Sequence, residues 1–176
     1  DRIMYIGMDN YLAGRKVGEL VEQALPDGGE VMLFIGRLEQ NNSQLRRQGV
    51  IDVLLGRDSR PEDYDPVEGV LEGEKYTILG TQLDQGKQDR CKEKAADSLN
   101  AHPDMDAMVC LFEYNPPACI QALKQAGKLG QIKLVGFDEN ELTLKAIKDG
   151  DCVGTVVQNP YRYGYESMKV LNALLK

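Results

Sequence analysis

Leu134-Val-Gly-Phe-Asp138 and Gly154-Thr-Val-Val-Gln158-Asn-Pro-Tyr161 are short apolar runs that each stop at one planar polar side chain, Asp138 or Gln158. In an open parallel α/β sheet, ligands bind just outside the carboxyl ends of the strands. A carboxylate and a carboxamide at two such ends point to a pocket that reads hydroxyl groups. Working outward, the same alternation of apolar run and amphipathic stretch recurs along the chain. Strands are predicted at Ile3–Gly7, Glu30–Gly36, Lys75–Thr81, Ala107–Phe112, Ile132–Phe137 and Cys152–Val157. Helical patterns cover about 10–25, 42–55, 87–101, 116–127, 140–149 and 161–175. Ala13, Val17, Leu20, Val21 and Ala24 share one face of the first helix, and Tyr161, Tyr165, Met168, Leu171 and Leu175 one face of the last.

Boundary residues agree with this reading. Asp9 or Asn10 can cap the first helix, and Asp27-Gly28-Gly29 forms a turn before the second strand. Asn115 followed by Pro116 reads as an N-cap with proline at the first helical position. Gly14 and Gly18 suit close packing of the first helix on the sheet. Such alternation implies βαβ units and a parallel sheet sandwiched by helices, an α/β class. The polar, proline-containing stretch 57–74 is longer than a typical connection and reads as a surface elaboration, with a partner contact as the alternative.

Bulk properties exclude several functions. The 176 residues suit one compact unit, and no apolar run approaches the roughly 20 residues of a membrane span. A net charge of −7 and a pI near 4.8 argue against nucleic acid as a partner. Cys91, Cys110, Cys119 and Cys152 contain no CxxC pair, and His102 is the single histidine, so no metal site is expected. Two disulfides are open to four cysteines, although buried free thiols are the commoner outcome within strands and helices. No nucleophile–base pair, glycine-rich phosphate cradle or GxGxxG turn is present, so neither catalysis nor a cofactor is expected.

The polar residues at strand ends are rich in amide, carboxylate and guanidinium groups with aromatics among them. Such groups pair with vicinal hydroxyls, while an aromatic face covers the apolar face of a sugar ring. The candidate ligand-binding residues are Arg46, Asn115, Asp138, Gln158, Phe112, Tyr114, Asn42 and Asp84. Each has an ordinary structural alternative. Asp138 could cap a helix starting near Asn140, and Arg46 could be a surface cation of its helix. Gln158 could satisfy backbone groups at a chain crossover, Asn115 could be a plain cap, and Phe112 and Tyr114 could be core.

Several segments together carry a family resemblance: Met8-Asp-Asn-Tyr-Leu-Ala-Gly14, Ser43-Gln-Leu-Arg46-Arg-Gln-Gly49, Ala101-His-Pro-Asp104, Leu134-Val-Gly-Phe-Asp138, Ile147-Lys-Asp-Gly150 and Gly154-Thr-Val-Val-Gln158. The chain resembles the type I periplasmic sugar-binding proteins, the ribose-binding-protein-like family, whose fold is shared by effector domains of lactose-repressor-type regulators. The resemblance implies a lobe of flavodoxin-like strand order and a sugar or polyol held between two lobes. By position, Arg46 matches an arginine that binds sugar hydroxyls, and Asn115 an asparagine before the fourth helix. Asp138 matches the carboxylate after the Val-Gly-Phe strand, and Gln158 the carboxamide at the crossover. Gly86 stands where a ring-stacking aromatic is usual, a role open here to Phe112 or Tyr114, and the two prolines after Asn115 depart from the pattern.

The resemblance further implies that residues 10–157 form the second lobe, with 1–9 and 158–176 as fringes of the first. Tyr165, Leu171 and Leu175 would then form an exposed patch that favours self-association. It implies an extracytoplasmic solute receptor serving the membrane permease of an ABC importer, without catalysis. The alternative is a ligand-sensing domain of a transcriptional regulator or sensor kinase. No signal peptide precedes the first strand, so either a leader has been removed or the protein is cytoplasmic.

Overall fold

Asp9 opens the first helix by accepting a hydrogen bond from the Leu12 amide at 2.9 Å, so α1 runs Asn10–Ala24. In the computed structural model, which describes residues 4–175, the chain continues as β1 (Gly29–Ile35), α2 (Asn41–Leu54), β2 (Leu71–Glu72) and β3 (Tyr76–Leu83). It then forms α3 (Gln88–Ala101), β4 (Ala107–Cys110), α4 (Asn115–Gln125), β5 (Lys133–Phe137), α5 (Glu141–Asp149), β6 (Gly154–Val156) and α6 (Pro160–Leu174). The sheet order is β2-β3-β1-β4-β5-β6, with every pairing parallel except the short β2–β3 edge. Leaving out β2, the five parallel strands follow the flavodoxin-like order that the family resemblance implies.

Successive side chains of a strand face opposite ways, and the two cores divide on that basis. Met32, Phe34, Met108, Cys110 and Leu134 pack with residues of α3, α4 and α5. Val31, Leu33, Ile35, Val109, Leu111, Val135 and Phe137 pack with residues of α1 and α2. The sheet is therefore covered on both faces, which explains why its strands read as continuous apolar runs.

Two features of the reading are corrected. Ile3 lies outside the described residues, and Met4–Gly7 form no strand: no neighbouring strand pairs with them, and Met4 and Tyr5 are exposed. Gly14 and Gly18 pack on α2 rather than on the sheet. A Cβ at Gly14 would lie 2.0 Å from the Arg46 carbonyl oxygen, one at Gly18 2.7 Å from the Val53 side chain, and one at Gly49 2.2 Å from the Tyr11 carbonyl oxygen. The α1–α2 backbones touch through these glycines.

The 57–74 stretch is tied down on α2 and includes β2. Arg47 donates to Thr81 Oγ1 and to the Asp65 carbonyl, each at 2.8 Å. Gln48 donates to Asp52 at 2.9 Å and to the Asp65 carboxylate at 2.8 Å, while Tyr11 donates to Asp52 at 2.7 Å. Arg57 pairs with Asp65 at 2.7 Å. Helix α2 is thus buried on its polar side as well as its apolar one. At the other end of the chain, α6 buries none of its residues, and Tyr161, Tyr165, Met168, Leu171 and Leu175 are exposed.

Candidate functional site

Strand β5 stops at Phe137, and the next residue, Asp138, takes φ +62°, the left-handed region that aspartate tolerates better than most residues. Its amide donates to the Val156 carbonyl at 2.8 Å, and its own carbonyl accepts from Thr155 Oγ1 at 2.7 Å. These two bonds to β6 fix the bend. The carboxylate accepts from Gln158 Nε2 at 3.0 and 3.1 Å through its two oxygens. It does not cap α5; Asn140 does, accepting from the Leu142 amide at 3.0 Å.

Arg46 comes to the same end of the sheet from α2, at the height set by the Gly14 contact. Its Nε donates to Asn10 Oδ1 and its Nη1 to the Leu111 carbonyl, both at 2.9 Å. The guanidinium carbon lies 4.0 Å from the Phe137 ring centroid and 5.0 Å from that of Phe112. Burial lowers the pKa of this group, and the charge of Asp138 together with Tyr5 and Tyr163 opposes that shift. Among the described residues Nη2 has no hydrogen-bond partner.

A groove of about 380 Å³ lies over Asp138 and Gln158, walled also by Glu113, Glu139, Pro160 and Tyr163. Asn140 Nδ2 donates to Glu113 Oε1 at its rim. A second groove of about 370 Å³ is lined by Tyr5, Gly7, Met8, Asp9, Asn10 and Leu45. Asn10, the partner of Arg46, belongs to this second groove.

Asp84, Tyr114 and Asn115 form a different cluster at the neighbouring strand ends. The Asp84 carboxylate accepts from Tyr114 Oη at 2.6 Å, Asn115 Nδ2 at 2.7 Å and the Gly86 amide at 2.8 Å. Burial pushes the Asp84 carboxyl above its ordinary value despite these donors, and burial beside Asp84 pushes the Tyr114 phenol up. Asn115 does not cap α4. Its Oδ1 accepts backwards from the Phe112 amide at 3.0 Å, because its other atoms are drawn inward to Asp84 and Cys91. Tyr114 Oη occupies the space beside Gly36, where a Cβ would approach it to 2.9 Å.

The structure therefore brings Arg46, Phe112, Asp138 and Gln158 together and gathers Asp84, Tyr114 and Asn115 into a second group. The two meet at Phe112, whose ring centroid is 6.1 Å from that of Tyr114. Asn42 joins neither by hydrogen bonding; its side chain accepts from the adjacent Ser43 amide at 3.0 Å. Asn10, Glu113 and Tyr163 were missed as site residues. Asn10 reads as a helix cap and Tyr163 falls off the apolar face of its helix, whereas Glu113 stands directly after a strand end, which is a signal legible in the sequence. Among the described residues no three His, Cys, Asp or Glu side chains are placed to hold a metal ion. All four cysteines are buried.

Comparison with known proteins gives a consistent outcome. The family model described as periplasmic binding protein domain matches residues 1–176. The ribose import binding protein of Salmonella typhimurium is 25% identical over 176 residues, covering 100% of this chain and 53% of that protein. A D-ribose/D-allose-binding protein of Pseudomonas aeruginosa is 26% identical over 156 residues, 89% of this chain and 44% of that protein. The chain spans about half the length of the curated relatives it matches. An ABC transporter solute-binding protein from Burkholderia graminis, solved in complex with D-arabinose, is similar with a TM-score of 0.83 and 26% identity. That match covers 98% of this chain and 55% of the other.

Proposed function

Because the chain belongs to the periplasmic binding protein domain family, we propose that it forms the second lobe of an extracytoplasmic receptor for a sugar or polyol, with residues 10–157 as that lobe and the two ends as fringes of the first. The receptor delivers its ligand to the membrane permease of an ABC importer and performs no catalysis. The observation that carries this reading is the convergence of Arg46, Asp138 and Gln158 at one end of a parallel sheet.

The chemistry of these groups suits vicinal hydroxyls. Asp138 accepts through two oxygens, Gln158 both donates and accepts, and Arg46 Nη2 supplies a charge-assisted donor. The Phe112 ring is available to cover an apolar sugar face. The Asp138–Gln158 pair holds the carboxylate in place for a hydroxyl that takes over part of that contact. Asp84, Tyr114 and Asn115 serve this site more distantly, by fixing the loop that carries Phe112. Binding by one lobe supplies one wall of a cleft. Closure of both lobes adds the second wall, and the ligand's preference for the closed form shifts the population.

The exposed apolar face of α6, with Tyr165, Leu171 and Leu175, belongs to the contact with the first lobe, and in the isolated chain it promotes self-association. The receptor reading is tested by calorimetric titration of the two-lobed protein with pentoses, hexoses and polyols, with Asp138→Ala alongside. Binding that disappears in the variant is expected. No heat with any sugar in either protein overturns the reading.

A further inference from the structure

Three thiols meet in the core on the α3/α4 side of the sheet. Cys110 is the last residue of β4 and Cys119 lies on α4, both with 0% exposure, and their sulfurs are 3.5 Å apart. Cys91 of α3 approaches from the side, where it accepts from Asn115 Nδ2 at 3.3 Å and also faces Cys119. Cys152 is engaged elsewhere, donating to the Leu134 carbonyl at 3.3 Å. Cys91 and Cys152 thus have polar partners outside the thiol group. Cys110 has its sulfur directed at Cys119.

We propose that Cys110 and Cys119 are joined as a disulfide in the mature protein, stapling β4 to α4 across the loop between them. That loop carries Phe112 against Arg46, Glu113 on the groove wall, and the Tyr114–Asn115 pair on Asp84. The staple therefore closes a short ring around one wall of the candidate site. The sulfurs stand 3.5 Å apart against a bond length of about 2.0 Å, so bond formation draws them together by about 1.5 Å.

The chemistry is a thiol–disulfide exchange with an external disulfide, such as oxidised glutathione or the disulfide of an oxidase. One thiol loses its proton and attacks a sulfur of that disulfide, giving a mixed disulfide and releasing one thiol. The second cysteine, deprotonated in turn, attacks the protein-side sulfur, forming the internal bond and releasing the other thiol. Two electrons and two hydrogens pass from the cysteine pair to the external disulfide. The exchange belongs to the stage before α4 packs down, since in the fold neither sulfur is accessible. Once α4 is packed, the burial of both sulfurs shields the bond from further exchange.

The oxidising setting follows from the extracytoplasmic reading, but the bond is tested without it. The chain is refolded in a buffer of oxidised and reduced glutathione, alkylated under denaturing conditions without reductant, and digested with trypsin. Cys110 and Cys119 fall on one tryptic peptide, Ala95–Lys124, whereas Cys91 and Cys152 fall on others. The expected product is this peptide lighter by two hydrogens and unalkylated, with the other two cysteines alkylated. Reduction of the refolded protein is expected to lower its Tm by about 5 °C, and a Cys110→Ala/Cys119→Ala variant shows no such response. A doubly alkylated Ala95–Lys124 peptide, or its cross-link to the Cys91 peptide, overturns the proposal. Either result leaves sugar binding to be decided by calorimetry alone.

Discussion

The central carbon of the Arg46 guanidinium lies 4.0 Å from the centroid of the Phe137 ring, and Phe137 is the residue immediately before Asp138. One strand end thus supplies both the aromatic surface that holds the cation and the carboxylate that the cation addresses. With Nε and Nη1 committed to Asn10 and Leu111, the head group is held in one orientation. A buried charge costs less when it lies over aromatic rings and is hydrogen-bonded, and Arg46 has both.

Arg46→Lys keeps the charge and loses the planar fork that stacks on Phe137 and reaches Asn10 and Leu111 together. Sugar affinity of the two-lobed protein is expected to fall by roughly 10- to 100-fold, the value of one charge-assisted hydrogen bond. Arg46→Ala is expected to abolish measurable binding and to destabilise the lobe by about 2–4 kcal/mol, because two aromatic rings then face a void. Calorimetry and urea denaturation of the same variants separate the two effects.

Gly14→Ala tests whether the α1–α2 contact sets the position of Arg46. The new methyl would sit 2.0 Å from a backbone oxygen, which cannot swing aside as a side chain would. The helices must part, at a cost of about 1–3 kcal/mol, and sugar affinity must fall with them. Gly164→Ala is the control: it lies within α6 with nothing within 4 Å of the added Cβ. There the change is expected to be neutral or to stabilise by about 0.5–1 kcal/mol.

How much of this was legible in the sequence depended on range. The helices and the central strands follow from periodicity, since their apolar positions report which side faces the sheet. Asp138 and Gln158 were legible because each interrupts an apolar run at the end where parallel sheets bind ligands. The Asp84–Asn115 pair was not, because the two residues are 31 apart in sequence and each alone resembles an ordinary loop or cap residue. Likewise the buried polar face of α2 carries no local signal: Arg47, Gln48 and Asp52 look solvated until the 57–74 stretch is folded over them. Met4–Gly7 shows the converse failure, an apolar segment with strand character and no strand to pair with.

Asp84→Asn replaces an acceptor-only group by one that must present an NH₂ to Tyr114 Oη, Asn115 Nδ2 or the Gly86 amide. The variant is expected to lose about 1–3 kcal/mol at acid pH, where the wild-type carboxyl is protonated but can still accept. The pH dependence has a defined sign. Burial holds the folded Asp84 pKa above the ordinary 3.8, so between those two values the folded state keeps a proton that the unfolded chain releases. This contribution to wild-type stability is complete below 3.8 and declines as pH rises through the folded pKa. Urea midpoints measured across that range should show a slope that Asp84→Asn removes.

Asp65 shifts in the opposite direction. Burial pushes its carboxyl up, but Gln48, Arg57 and Arg60 around it outweigh burial and hold it below the ordinary 3.8. Stability from this group is therefore present above the unfolded value and is lost as pH falls through the folded one. The consequence reaches the candidate site, because Asp65 is the knot that ties the 57–74 stretch to α2, and α2 carries Arg46. Asp65→Asn keeps the size and one oxygen acceptor while removing the charge that Arg57 and Arg60 require. At neutral pH it is expected to destabilise the lobe by about 1–3 kcal/mol and to speed proteolysis within 57–74. As pH falls through the folded pKa of Asp65 the wild type should converge on the variant, since protonation removes the same charge. A stability difference that persists unchanged into that acid range would mean that the carboxylate's charge is not what holds the segment in place.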